Sequence, residues 1–462
     1  MIIGVAHSSR RASPHRPGKR FWFPLPVLLA LTGAAASGDL CEPQWSAGVG
    51  APSDFGTVLD IAALNDGAST THFIATGGIF GVGRWTGAAW TPVGEEQLFV
   101  VRALTVFDDG GGPALYAAPE TAFLEDGAFK GVVRWDGANW QRVDDGLGTF
   151  SAIIEDLTVF DDGTGPALYA GGFLLGGPPV NIARWSGGRW SPLAGATGTL
   201  TAANVRTIAV FDDGRGPALY AGGNGLTVNG VPTPLARWDG TDWSAVPGMP
   251  QADTTVLTAM TVHDDGRGPA LYVGGFSSPS FTFPPVVSRF DGVGWSVVAT
   301  PFNSSIHALA SFDDGSGAGP ALHVGGNFFE TITASGHQPL SRIARLNGNE
   351  WEQLNTGTNN GVFALSPSVD LLDGSAPALH VGGSFGTAGG IASANFAQWR
   401  GCGEPVPVIG DLDSDGTVNS SDLLILLGAW GACQDHLNCP ADLNADGLVN
   451  VSDLLILLAN WG

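Results

Sequence analysis

Two stretches near the end of this 462-residue chain carry its most explicit chemistry. DLDSDGTVNSSD (411–422) and DLNADGLVNVSD (442–453) repeat at a spacing of 31. Acids or amides stand at loop positions 1, 3, 5, 9 and 12, with glycine at position 6. The side chains are Asp411, Asp413, Asp415, Asn419 and Asp422, then Asp442, Asn444, Asp446, Asn450 and Asp453. Thr417 and Leu448 stand where a backbone carbonyl would complete each set. Alternate side chains aim at one centre, and the glycine permits the sharp turn. Hard oxygen donors in this pattern select Ca²⁺ over zinc or copper, so two calcium ions are expected. A second candidate is the adjacent acid pair before a Gly–Pro turn, as in AVFDDGRGPALYAGG (209–223). A single copy would suit acid–base chemistry.

That pair recurs, which changes its meaning. Related stretches start at Val106, Val159, Val262, Ser311 and Leu371. A second motif follows each, as in VRWDGANW from Val133 and ARWDGTDW from Ala236. Its anchors are Arg84, Arg134, Arg184, Arg237, Arg289, Arg345 and Gln398, spaced 50, 50, 53, 52, 56 and 53 apart. A period near 50 with strand-like content marks a propeller or related array. Each repeat reads as four short strands, the last pair joined by a hairpin such as Asp239-Gly240. One four-stranded sheet is one blade. The expected fold is therefore all-β, a seven-bladed β-propeller over residues 42–403.

The seventh repeat lacks its second Trp, and CEPQWSAGVG (41–50) supplies a strand with Trp45 in that role. The N-terminal strand is expected to close the last blade. Cys41 then faces Cys402 across one gap and is expected to pair with it. Cys433 and Cys439 are left to pair with each other. In this register the acid pairs build turns, because Asp bonds its own nearby amides. The Tyr of each ALY is replaced by His323 and His380 in later repeats, as packing positions are. No Ser/His/Asp motif, phosphate loop or zinc spacing can be placed. The connections that vary between repeats share one face, where binding sits on rigid frames. Phe281, Phe283, Phe328 and Phe329 lie there and are expected to stack on a sugar ring or grasp a peptide.

The repeats resemble kelch-type propellers, on the Gly pairs ending the second strand (Gly77-Gly78 through Gly382-Gly383) and the paired aromatics after them. Repeat 2 carries Ala117-Ala118 where the others carry glycine. Residues 410–462 resemble a type I dockerin: the loops are duplicated, each is followed by LLILLGAW or LLILLANW, and Asp holds position 12. The resemblance implies docking to a cohesin-like or cell-surface partner, with Ser420, Ser421, Val451 and Ser452 at the selecting positions 10 and 11. Each short helix is apolar all round and is expected to be buried on several sides.

The first 36 residues read as a secretion signal: a basic segment to Arg20, the apolar run 21–31, and Ala34-Ala35-Ala36. The apolar run is too short to span a membrane. Its removal takes the net charge from −23 to −28. Such a surface repels nucleic acid and anionic lipid. Four cysteines fit an oxidising compartment. Residues 404–409 read as a linker. The chain is expected to be a secreted, monomeric, non-catalytic binding protein recognising a glycan or protein. The alternatives are a polysaccharide hydrolase or lyase carrying a dockerin, and a structural cell-surface protein.

Overall fold

The computed structural model describes residues 43–462 except 68, 125–126, 144–151, 175–180, 197–198, 252–254, 278–283, 334–335, 373, 375, 403–411, 413–417, 433–438, 444–447 and 460–462. The signal segment, the linker, Cys41 and Cys433 lie outside the described residues. Among those described, seven antiparallel sheets are built on four strands each, and the second gains a short fifth, Gly127–Phe129. Their first strands are Val58–Asn65, Gln97–Asp108, Ala152–Asp161, Asn204–Asp212, Thr255–Asp264, Ile306–Phe312 and Val362–Val369. Sheets are numbered 1 to 7 in that order. Each first strand packs on the first strand of the next sheet, and that of sheet 7 packs on that of sheet 1. The molecule is an all-β propeller.

Closure uses the N-terminal strand. Gln44–Ser46 completes sheet 7 by pairing with Phe396–Arg400, Trp45 opposite Trp399. The fourth-strand tryptophans share one job. Trp90, Trp140, Trp190, Trp243, Trp295 and Trp351 each donate an indole N–H to a carbonyl just after the preceding sheet's fourth strand, at 2.8–3.2 Å. Trp45 donates likewise to Leu354, at 3.1 Å. Seven indoles thus lock each sheet to its predecessor. Indole suits the position because it combines a large apolar area with an N–H donor at its edge.

Every first strand also carries a bulge near its start, which re-aims one residue. The residues left unpaired are Leu59, Arg102, Glu155, Arg206, Thr258, His307 and Phe363. The Gly–Gly pairs answer this geometry. A Cβ on Gly223 would sit 2.2 Å from the Asn204 carbonyl, and one on Gly222 2.8 Å from Leu257 of the next sheet. Register moves two alignments. Ala118 and Pro119, rather than Ala117-Ala118, face the bulge in sheet 2, and Ala75 and Thr76, rather than Gly77-Gly78, do so in sheet 1.

The acid pairs divide their labour. The first acid caps its turn: Asp212 Oδ1 accepts from Gly214 and Gly216 at 2.9 and 3.0 Å. The second acid is a hub as well. Asp213 Oδ2 accepts from Tyr220 Oη at 2.8 Å and lies 3.0 Å from Arg237 Nε. That Arg237 contact is an ion pair and not a hydrogen bond, because its N–H points off the oxygen. The same Tyr–Asp–Arg set recurs at Tyr116, Asp109 and Arg134, at Tyr169, Asp162 and Arg184, and at Tyr272, Asp265 and Arg289.

Burial works against ionisation of Asp213, but Arg215, Tyr220 and Arg237 outweigh it and hold the carboxyl at about 2. The folded state therefore stays ionised where the unfolded chain, near 3.8, takes up a proton. This stabilisation is complete above about pH 4 and disappears as pH falls through 2. Buried His72, His323 and His380 act in the same direction. Burial lowers the first two to about 4 and the third to about 3. They stay neutral while the unfolded chain protonates below 6.5, so their contribution is lost as pH falls from 6.5 toward 3. Thermal unfolding followed from pH 7 to 3 should show a net loss of stability, these groups outweighing the opposite contribution of Asp60 and Asp156, which burial raises to about 6 and about 7. Asp213→Asn should lower stability at pH 5 by roughly 1–3 kcal/mol and flatten the limb below pH 4. Parallel curves for the two proteins would refute the assignment.

Candidate functional site

The unpaired bulge residues all lie near the starts of the first strands, at the end of the ring where the variable connections enter. Arg102 Nη2 lies 2.6 Å from Glu120 Oε1, and its Nη1 lies 3.3 Å from Glu155 Oε2. Two carboxylates from different sheets thus hold opposite edges of one guanidinium. Glu155 Oε1 accepts from Asn204 Nδ2 at 3.0 Å and lies 4.0 Å from Arg206 Nη1. His307, two sheets beyond Arg206, is lowered to about 4 by burial and by the charge of Arg206. Its Nε2 accepts from Asn327 Nδ2 at 3.1 Å, and its ring lies 5.1 Å from Phe363. Contacts therefore join the bulge residues of sheets 2, 3 and 4, and separately those of sheets 6 and 7.

Beneath this layer two aspartates tie first strands together. Asp60 Oδ2 accepts from Leu104 N at 2.7 Å, and Asp156 Oδ2 from Ile208 N at 2.8 Å. Burial raises Asp60 to about 6. Burial, helped by the charge of Asp60, raises Asp156 to about 7.

The aromatic expectations fare differently. Phe281 and Phe283 lie outside the described residues. Phe328 is not on the surface: it is fully buried, 4.4 Å from Phe302. The reason is the hairpin of Glu330–Thr333 and Gly336–Pro339, which turns the preceding Phe inward as a plug. Leu226 and Phe385 are buried just before the hairpins of sheets 4 and 7. Phe329 is exposed, with the Arg342 guanidinium 5.4 Å from its ring centroid.

In the C-terminal module Asp411, Asp413, Asp415, Thr417, Asn444 and Asp446 lie outside the described residues. The remaining loop residues are duplicated faithfully. Asp422 and Asp453 are fully buried. Their Oδ1 atoms accept from Leu412 N at 2.7 Å and Leu443 N at 2.8 Å. Their Oδ2 atoms accept from Asn419 N and Asn450 N, both at 2.8 Å. Position 12 thus draws positions 2 and 9 of each loop together. Asn419 and Asn450 cap the helices α1 (Ser420–Gly428) and α2 (Val451–Ala459) by accepting from Ser421 N and Ser452 N. Asn450 also donates to the Leu448 carbonyl at 3.2 Å. The donor set fits a hard cation. Among the described residues, no cluster of three or more His, Cys, Asp or Glu forms a further metal site.

The helices are not buried on several sides. Among the described residues the module's core is Val418, Leu426, Ala441, Val449 and Leu457, and each helix buries one leucine fully. Leu424, Ile425, Leu427, Leu455 and Leu458 stay exposed, because a core this small covers only one helical face. Ser420, Ser421, Val451 and Ser452 are exposed as well. Cys402 and Cys439 are each engaged in a disulfide bond.

No curated protein matches the chain. Among solved structures it is similar to the GH74 xyloglucanase from Xanthomonas campestris, with a TM-score of 0.44 and 19% identity. The match covers 74% of this chain and 52% of that one, about half its length. Residues 409–460 match the family model of the dockerin type I domain. The C-terminal module is a type I dockerin domain.

Proposed function

We propose that this chain is a secreted binding protein in two parts. A seven-bladed propeller takes a glycan or protein ligand on its variable face, and the dockerin domain fastens it to a cohesin-like or cell-surface partner. The observation that carries this is the pair of duplicated helices with exposed leucines beside Ser420-Ser421 and Val451-Ser452. Apolar patches rimmed by polar residues are what a protein partner covers. Two calcium ions hold the loops in that shape. Asp411, Asp413, Asp415, Asn419 and Asp422 take one and Asp442, Asn444, Asp446, Asn450 and Asp453 the other, with the carbonyls of Thr417 and Leu448. Capture of cohesin-bearing proteins by the full chain, present in calcium and absent in EDTA, tests the reading. Capture that ignores calcium would refute it.

Residues 1–36 act as the export signal and are removed. The disulfides are Cys41–Cys402, which staples the ring, and Cys433–Cys439. Non-reducing peptide mapping of the secreted protein should recover both pairs; either cysteine of a pair found free would contradict this. A second reading is supported by Glu120 and Glu155 on opposite edges of Arg102. Paired carboxylates at a mouth are what a polysaccharide hydrolase needs. New reducing ends released from a polysaccharide, and lost in Glu155→Gln, would establish it over the binding reading.

A further inference from the structure

We propose that the axial mouth on the variable face is a saccharide site. Arg102, Glu155 and Arg206 would take hydroxyl groups, and Phe363 with His307 would take the apolar face of a sugar ring. The inference rests on the reading of the propeller as the ligand-binding part and names its ligand class.

Three observations carry it. First, the residues differ in type although their backbone position is the same in every sheet. The bulge repeats as a feature of the frame, but its side chain runs Leu59, Arg102, Glu155, Arg206, Thr258, His307, Phe363. The fourth-strand Trp, which locks the frame, is one type in all seven sheets, whereas this position mixes charged, polar and apolar side chains. Second, the mouth has two unlike halves. Sheets 2 to 4 present charge, whereas sheets 5 to 7 present Thr258, neutral His307 and Phe363. A sugar ring has the same division, with hydroxyls round its edge and C–H groups on its faces. Third, the charged half is balanced and not closed on itself. Arg102 and Arg206 face Glu120 and Glu155, so no net charge is left to select an anion. Among the described residues Arg206 Nε and Asn204 Oδ1 find no hydrogen-bond partner. One is a donor and the other an acceptor, both buried, so the polar half holds hydrogen-bonding capacity that a shift of either side chain would bring to a hydroxyl. The side chains of Arg102, Glu120 and Arg206 remain 34%, 33% and 36% exposed, so the polar half is reachable.

The test is titration calorimetry of the full chain in calcium. The probes are cellohexaose, xylohexaose and mannohexaose, with oligogalacturonate as the acidic counterpart. At least one neutral oligosaccharide should bind. Glu155→Gln, Phe363→Ala and Arg206→Gln should each weaken it about tenfold or more. Arg206→Gln changes a partly exposed side chain, so it keeps the test alive if Phe363→Ala fails to fold. Binding that survives all three substitutions would overturn the location. Binding of oligogalacturonate alone, or of no saccharide, would overturn the ligand class. Cohesin capture, measured on the same samples, should be unchanged in all three variants. Its loss would count against the two-part reading rather than against the saccharide site.

Discussion

In EDTA the full chain loses its partner and the helical signal of Ser420–Gly428 and Val451–Ala459, while the propeller remains folded. Two features of the module make this the expected result. Among the described residues its buried apolar core is five side chains, Val418, Leu426, Ala441, Val449 and Leu457. A module of this size does not bury enough apolar area to fold unaided. Its loops also concentrate acids: Asp411, Asp413, Asp415 and Asp422 lie within twelve residues. Without a cation these repel one another, and the buried Asp422 and Asp453 can no longer draw positions 2 and 9 inward. Metal affinity is then folding free energy. A cation at a thousand times its dissociation constant contributes about 4 kcal/mol per site, which exceeds what so small a core supplies. The ring has no such dependence, since its sheets are locked by indole N–H bonds and apolar packing. Far-ultraviolet dichroism and limited proteolysis with and without EDTA would show cleavage confined to residues beyond 403. Asp422→Ala or Asp453→Ala should each reproduce part of the effect in calcium. Helicity and capture that persist in EDTA would remove calcium from the account.

The frame was legible in the sequence because it repeats. Period, hairpins and the displaced Trp45 all follow from comparing one repeat with the next. The axial cluster was not legible, because it uses positions where the repeats disagree. Arg102 aligns with Glu155, Arg206 and His307 only once the bulge is known, and a bulge leaves no residue signature when its occupant varies. The hubs at Asp109, Asp162, Asp213 and Asp265 hid for the opposite reason. Their partners, Tyr and Arg, are constant but lie 7 and 22–25 residues away, across strands whose register sequence spacing does not reveal. Phe328 and Phe329 show the limit of reading aromatics in a loop. They lead into the hairpin of Glu330–Thr333 as extended chain, where adjacent residues face opposite ways, and one is buried and the other exposed.

Replacing Trp45 with alanine should be the most damaging single change to the propeller. The side chain is 6% exposed, its indole donates to the Leu354 carbonyl at 3.1 Å, and its ring meets Trp399 at 5.3 Å, edge to face. Truncation of such a residue costs about 3–5 kcal/mol. Trp140→Ala loses a similar set, a bond to the Val93 carbonyl at 2.9 Å and contact with Trp135 at 5.3 Å, and is the proper control. The two sites differ in what remains. Trp140 lies mid-chain, so its strand stays tethered at both ends. Trp45 lies in a three-residue strand, Gln44–Ser46, held by its pairing with Phe396–Arg400 and by the hydrogen bond from Gln398 Nε2 to Ser46 Oγ at 3.1 Å. Without its anchor that strand frays, sheet 7 falls to three strands, and Phe396–Arg400 becomes an open edge prone to pairing with other chains. Trp45→Ala should therefore show a lower unfolding temperature than Trp140→Ala, cleavage near residues 43–52 under limited proteolysis, and concentration-dependent aggregation. Equal unfolding temperatures with an intact N-terminus would mean that closure rests on the Cys402 disulfide rather than on the indole.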